Sequence, residues 1–145
     1  MNKYKELKNK HQEELNNFPM FFAFSNQQFE EGMRKLNLDP SDTDKIYKLG
    51  GTGGFYRKTD AVTLHEMFNR HNQEMKEAME SDDQFIFDMF NYELGNHEYI
   101  VTYSVDDTLR AIGLTEEEVN NNPRLLSALK KAKKAQEDWH NSQNR

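Results

Sequence analysis

Apolar residues recur at three- and four-residue steps through most of this chain, interrupted by a few short runs that fit strands. Tyr4, Leu7, His11 and Leu15 predict a helix over 4–17, stopped by Phe18 and Pro19. Met20-Phe21-Phe22-Ala23-Phe24 is short, aromatic and bounded by Pro19 and Ser25, and reads as a buried strand. Ser25 and Gln28 have capping-box spacing, so a helix starts there; Phe29, Met33 and Leu36 line it, and Asn37 with Asp39-Pro40 closes it. After a polar loop, the strand-like runs Lys45–Leu49 and Gly54–Lys58 hold between them, with Gly54 itself, four of the chain's seven glycines, the pattern of a β-hairpin with a glycine-rich tip.

Asp60 then caps a long helix whose stripe is Leu64, Met67, Phe68, His71, Met75, Ala78 and Met79. Ser81 with Gln84 opens another, through Phe85, Ile86, Met89, Phe90 and Leu94, which stops at Gly95-Asn96. Tyr99 to Tyr103 alternates aromatic and β-branched residues and predicts a strand. Ser104 with Asp107 opens a short helix ending at Gly113, and Thr115 with Glu118 makes a capping box for the next. Pro123 suits the first turn of a last helix carrying Leu125, Leu129, Ala132, Gln136 and Trp139, with fraying expected after about residue 140. The prediction is a single α+β domain over 1–145. Its small, mostly antiparallel sheet uses strands near 20–24, 45–49, 54–58 and 99–103, packed with about five to six helices.

Composition narrows the function classes. With no cysteine there is no disulfide, thiolate metal site or cysteine nucleophile. The charged N-terminal stretch lacks the apolar core of a secretory signal, and no run approaches a membrane span, so a cytoplasmic protein is expected. The net charge of −6 is concentrated: residues 61–98 sum to −7, whereas 25–60 and 99–145 each sum to zero. That sign disfavours affinity for a phosphate backbone, so no direct nucleic-acid contact is expected.

Candidate chemistry is sparse. The tip residues Gly51, Gly53 and Gly54 with Arg57 and Lys58 offer amides and cations to an anion such as a phosphate-bearing ligand. No Gly-Lys-Ser/Thr follows, and glycine's ordinary use is to permit positive φ in a turn. His65 and His71 are six residues apart, about 240° around a helix, where a shared metal needs a four-residue step. His71 lies on the apolar stripe, as a core histidine does. Glu93 and His97 are only two ligands, so no metal or other cofactor is predicted, and no catalytic residue is singled out.

The acidic stretch is the leading functional feature. Glu66, Glu74, Glu77, Glu80, Asp82, Asp83 and Asp88, with Glu93 and Glu98, fall on two helices expected to pack as a hairpin. Facing outward together, they attract a partner with a basic surface. A solvated face that keeps a small domain soluble accounts for the same residues.

Four stretches, Phe18-Pro19-Met20-Phe21-Phe22-Ala23-Phe24-Ser25, Gly50 to Phe55, Leu64-His65-Glu66-Met67-Phe68 and Asn96-His97-Glu98-Tyr99, carry a resemblance. The chain resembles a small family, without an established activity, encoded by phages, mobile elements and genomes of low-GC Gram-positive bacteria. The resemblance implies a non-enzymatic interaction protein: an anti-defence inhibitor, for example of a CRISPR nuclease complex, binding a larger protein with a basic surface. Two alternatives stay open. One is a small ligand-binding domain or enzyme using the glycine tip, and the other a homo-oligomeric accessory protein.

Overall fold

The computed structural model describes residues 2–143. In chain order the elements are α1 (Lys3–Asn16), β1 (Met20–Phe22), α2 (Asn26–Lys35), β2 (Ile46–Leu49), β3 (Gly54–Arg57), α3 (Ala61–Ser81), α4 (Asp83–Asn96), α5 (Tyr99–Thr102), α6 (Asp106–Ile112), α7 (Glu116–Asn120) and α8 (Pro123–Gln143). This is an α+β chain with a three-stranded antiparallel sheet, and it has more helices than the pattern predicts. It divides into two compact units. Gln12–Gln73 form one, and the residues up to His11 together with those from Glu74 onward form the other. Helices α1 and α3 each contribute residues to both.

In the unit of residues 12–73 the strand order is β1-β3-β2. Phe21 stands opposite Phe55, Phe22 opposite Gly54, and Tyr47 opposite Tyr56. Strand alternation therefore sends Phe21, Phe55 and Ile46 to one face. There they meet Met33 and Leu36 of the α2 segment, with Phe29 and Leu38 packed around them. The rings of Phe21 and Phe55 stack at 5.3 Å, and Phe29 meets both edge-on at 5.8 and 5.2 Å. Helix α2 starts where the sequence predicts: the Ser25 hydroxyl accepts from the Gln28 N–H at 3.2 Å, and the Gln28 side-chain Oε1 accepts from the Phe24 N–H at 2.7 Å. Gly32 lets that helix approach the sheet, because a Cβ there would lie 2.1 Å from the Phe21 ring.

The other unit is built on α4 lying along α8. Phe85, Ile86, Met89, Phe90 and Leu94 face Leu125, Ala128, Leu129 and Ala132, while Tyr4 and Leu109 extend the same core. Within it Glu93, only 1% exposed, accepts from the Tyr4 hydroxyl at 2.6 Å, Lys8 Nζ at 3.0 Å and Asn96 Nδ2 at 3.2 Å. Burial pushes the Glu93 carboxyl up, but the hydrogen bonds from Tyr4 and Lys8 and the Lys8 charge outweigh it, so its pKa lies below the ordinary value. The Tyr4 phenol is pushed up by burial and then by Glu93. The start of α1 is thereby pinned to α4 through a charged network.

Four expectations are corrected. Tyr99–Thr102 is one helical turn, not a strand; it lies between Glu98 and Tyr103, both at φ 54°. Tyr99 is buried and its hydroxyl donates to Glu137 of α8 at 3.3 Å, so tertiary packing overrides the β-propensity of the segment. Helix α4 is capped by Asp82, which accepts from the Gln84 N–H at 2.9 Å, while Ser81 still belongs to α3. Asp60 ends a 3-10 turn leading into α3, and its carboxylate accepts from Arg57 Nε at 2.8 Å. The run 20–24 is not a buried strand throughout: pairing ends at Phe22, and of its phenylalanines only Phe21 is buried. At the other end of the chain, α8 stays helical to Gln143, and the remainder of the tail expected to fray, residues 144–145, lies outside the described residues.

Two stability predictions follow from these contacts. Gly32→Ala, although it raises helix propensity, should cost about 1–3 kcal/mol in urea denaturation through overpacking against Phe21; an unchanged or raised midpoint would contradict that contact. The depressed Glu93 pKa gives stability that is fully present above the unfolded value of about 4.3 and is lost as pH falls through the folded value. The advantage of the wild type over Glu93→Gln in thermal denaturation should therefore narrow as pH falls below about 4. A gap that is constant down to low pH would contradict an ionised Glu93.

Candidate functional site

The second face of the hairpin sheet is the candidate site. With Phe21 and Phe55 turned inward, Met20, Phe22, Tyr47, Leu49 and Tyr56 occupy the opposite face. Phe22 is 51% exposed, Tyr47 47%, and Phe24, just beyond β1, 78%. Tyr47 and Tyr56 lie across strands with ring centroids 5.9 Å apart. Lys58 sets its ammonium 5.1 Å from the Tyr47 ring centroid. Beside these rings, Leu49 and Tyr56 with Ala61, Val62, Leu64, His65, Glu66 and Phe68 of α3 enclose an open groove of about 570 Å³. Its floor is apolar, and His65 and Glu66 are its polar members.

The glycine-rich tip belongs to this surface in an unexpected way. A Cβ at Gly53 would lie 2.5 Å from the Phe24 ring, and one at Gly54 would lie 3.0 Å from the Phe22 ring. The exposed rings rest on bare backbone, and Gly53 also needs its φ of 82°. The anion-cradle residues do not converge. Arg57 lies on the inner face, where it donates to Asp60 at 2.8 Å and to the Leu36 carbonyl at 3.1 Å. Lys58 lies over Tyr47 on the outer one. Gly54 N–H is taken by the Thr52 hydroxyl at 3.1 Å, and that hydroxyl donates to the Leu49 carbonyl at 2.6 Å. Gly51 stays at the tip with open space where a side chain would stand.

The acidic residues are dispersed rather than gathered on a helical hairpin, because α4 lies along α8. Asp88 is only 6% exposed and accepts from the Lys3 N–H at 3.1 Å and from Gln84 Nε2 at 2.8 Å, so it is not a surface residue. Asp82 pairs with Lys3 and Asp83 with Arg124, each at 2.7 Å, and Glu74 lies 3.6 Å from His11. Glu77 and Glu80 are exposed, and with Glu74 they line a shallow concavity. Glu66 is exposed in the hairpin unit, at the aromatic groove. On the final helix Lys134 pairs with Asp138 at 2.9 Å.

His71 is buried and lies 3.5 Å from Glu14, whose carboxyl is held down at about 2, first by the Arg70 guanidinium. His65 is exposed at the groove. Among the described residues no group of three histidine or carboxylate side chains is arranged to hold a metal ion. No helix among them is long and apolar enough to cross a membrane.

Phe22 and Phe24 are the surface residues that a reading of the run 20–24 as uniformly buried misses. The available signal is the period of two: once Phe21 is inside, Phe22 is outside.

The chain belongs to the family of unknown function DUF7659, which it matches over residues 3–135. No curated protein and no solved structure matches it.

Proposed function

We propose that this chain is a protein-binding module, without a reaction of its own, that engages its partner through the outer face of the hairpin sheet. One observation carries the reading: Phe22 and Tyr47 stand exposed on one sheet surface beside an apolar groove, with Phe24 exposed just beyond β1. Contiguous exposed rings rimmed by polar groups are disfavoured in water and mark interaction surfaces. Aromatic anchors are also the side chains that dominate binding energy at interfaces. Covering what remains exposed of these rings supplies on the order of 1–2 kcal/mol each. Gly53 and Gly54 leave room for the Phe24 and Phe22 rings.

The acidic stretch supports a second, narrower reading: an anti-defence inhibitor carried by a phage or mobile element and docked on a basic nucleic-acid-handling protein. Its support is the −7 charge of residues 61–98 and the concavity lined by Glu74, Glu77 and Glu80. The dispersal of the other carboxylates leaves it with fewer members than the sheet face.

Each reading has its own test. A double variant, Phe22→Ser with Phe24→Ser, should keep the wild-type urea midpoint yet lose the protein that co-purifies stoichiometrically with the wild type. Retention of that partner would contradict the sheet-face reading. If the partner is a second copy, light scattering should give a dimer mass that the same variant abolishes. Reversing Glu77 and Glu80 to lysine should weaken a basic partner by roughly tenfold at low salt and less at high salt; unchanged affinity would remove the acidic concavity from the account.

A further inference from the structure

Resting on the sheet-face reading, we infer that the partner presents an extended acidic segment, which pairs with β2 as a fourth strand and lowers alternate apolar side chains into the adjoining groove. The order β1-β3-β2 leaves β2 with a strand on one side only, so half of its backbone N–H and C=O groups face outward. Such an edge is a template for an incoming strand, which gains main-chain hydrogen bonds from it and specificity from pockets for every second side chain. β1, the other edge, is shorter, at three residues against four, and is preceded by Pro19. The groove adjoins β2 through Leu49 and continues over Tyr56, Val62 and Phe68. It therefore lies on the face that receives alternate side chains of a strand added there.

Charge selects the occupant. Residues 45–58 contain Lys45, Lys48, Arg57 and Lys58 and no carboxylate, opposite in sign to the chain's net −6. Arg57 is held by Asp60, and Lys45 lies 3.6 Å from Asp42. Lys48, exposed within β2 on the same side as Phe55, is left to meet the incoming segment, while Lys58 adds positive charge over Tyr47 on the groove side. Aspartate or glutamate at the alternate positions that face away from the groove would satisfy Lys48. The same lysines argue against a second copy of this chain, since pairing β2 with itself gathers the positive charge of two identical edges into one ribbon.

The test is a selection of displayed random peptides of about twelve residues on the full chain, followed by amide exchange with an enriched peptide bound. Enriched sequences should alternate acidic and aliphatic or aromatic residues, slow exchange within Ile46–Leu49, and bind roughly tenfold more weakly to Lys48→Glu. If enriched peptides are lost on Phe22→Ser with Phe24→Ser but leave exchange in 46–49 unchanged, strand addition is wrong and the sheet-face reading stands. No enrichment, or peptides indifferent to both sets of variants, overturns both. Basic enriched sequences, or displacement of the peptide by an oligothymidylate, overturn the acidic-segment assignment.

Discussion

The ring of Phe21 lies on the bare backbone of Gly32, and the character of the hairpin unit depends on that contact. It brings α2 against one face of the sheet and commits Phe21, Phe55 and Ile46 to that side. A strand cannot bury adjacent residues on one face, so the same contact turns Phe22, Tyr47 and Tyr56 outward. The glycine-rich tip completes the arrangement. Gly53 and Gly54 give the outer rings a seat that a larger residue would obstruct. An inner face closed by three interlocked phenylalanines and an outer face left open are two consequences of one register.

The second unit solves a different problem. Glu93 lies in an apolar helical core, where an uncompensated charge would cost several kcal/mol. Tyr4, Lys8 and Asn96 supply the compensation, and two of these three come from α1. The buried carboxylates therefore account for the docking of the first helix, together with Asp88, which receives the Lys3 N–H. This is why much of the central negative charge serves the fold. Carboxylates that satisfy N–H and ammonium groups inside a unit are not available to a partner outside it.

Much of the fold is legible in the residues. The hairpin follows from two short runs flanking the glycines, and Thr115 with Glu118 forms both bonds of its predicted capping box. The inner stripe of α4 is legible as well, and it already contains the correction to the acidic face: Glu93 follows Met89 and Phe90 at helical spacing and so shares their side. What local pattern could not give is the state of Tyr99–Tyr103. Its β-propensity expresses a fit to a pleated surface, and the partners the segment meets are α8 and Glu137. The outer ring platform is intermediate, since its alternation is visible but which phenylalanine turns inward is decided by Gly32 of another element.

The measurement that tests the outer sheet face most directly is site-specific photo-cross-linking in cells, with the reactive phenylalanine analogue placed at Phe24 or at Tyr47. Lys130, on the exposed side of α8, serves as the control position. A discrete adduct of one constant mass from both sheet positions, and none from the control, is the predicted result. No adduct from either sheet position, or the same adduct from Lys130, would contradict the claim that this face is where the protein meets its partner.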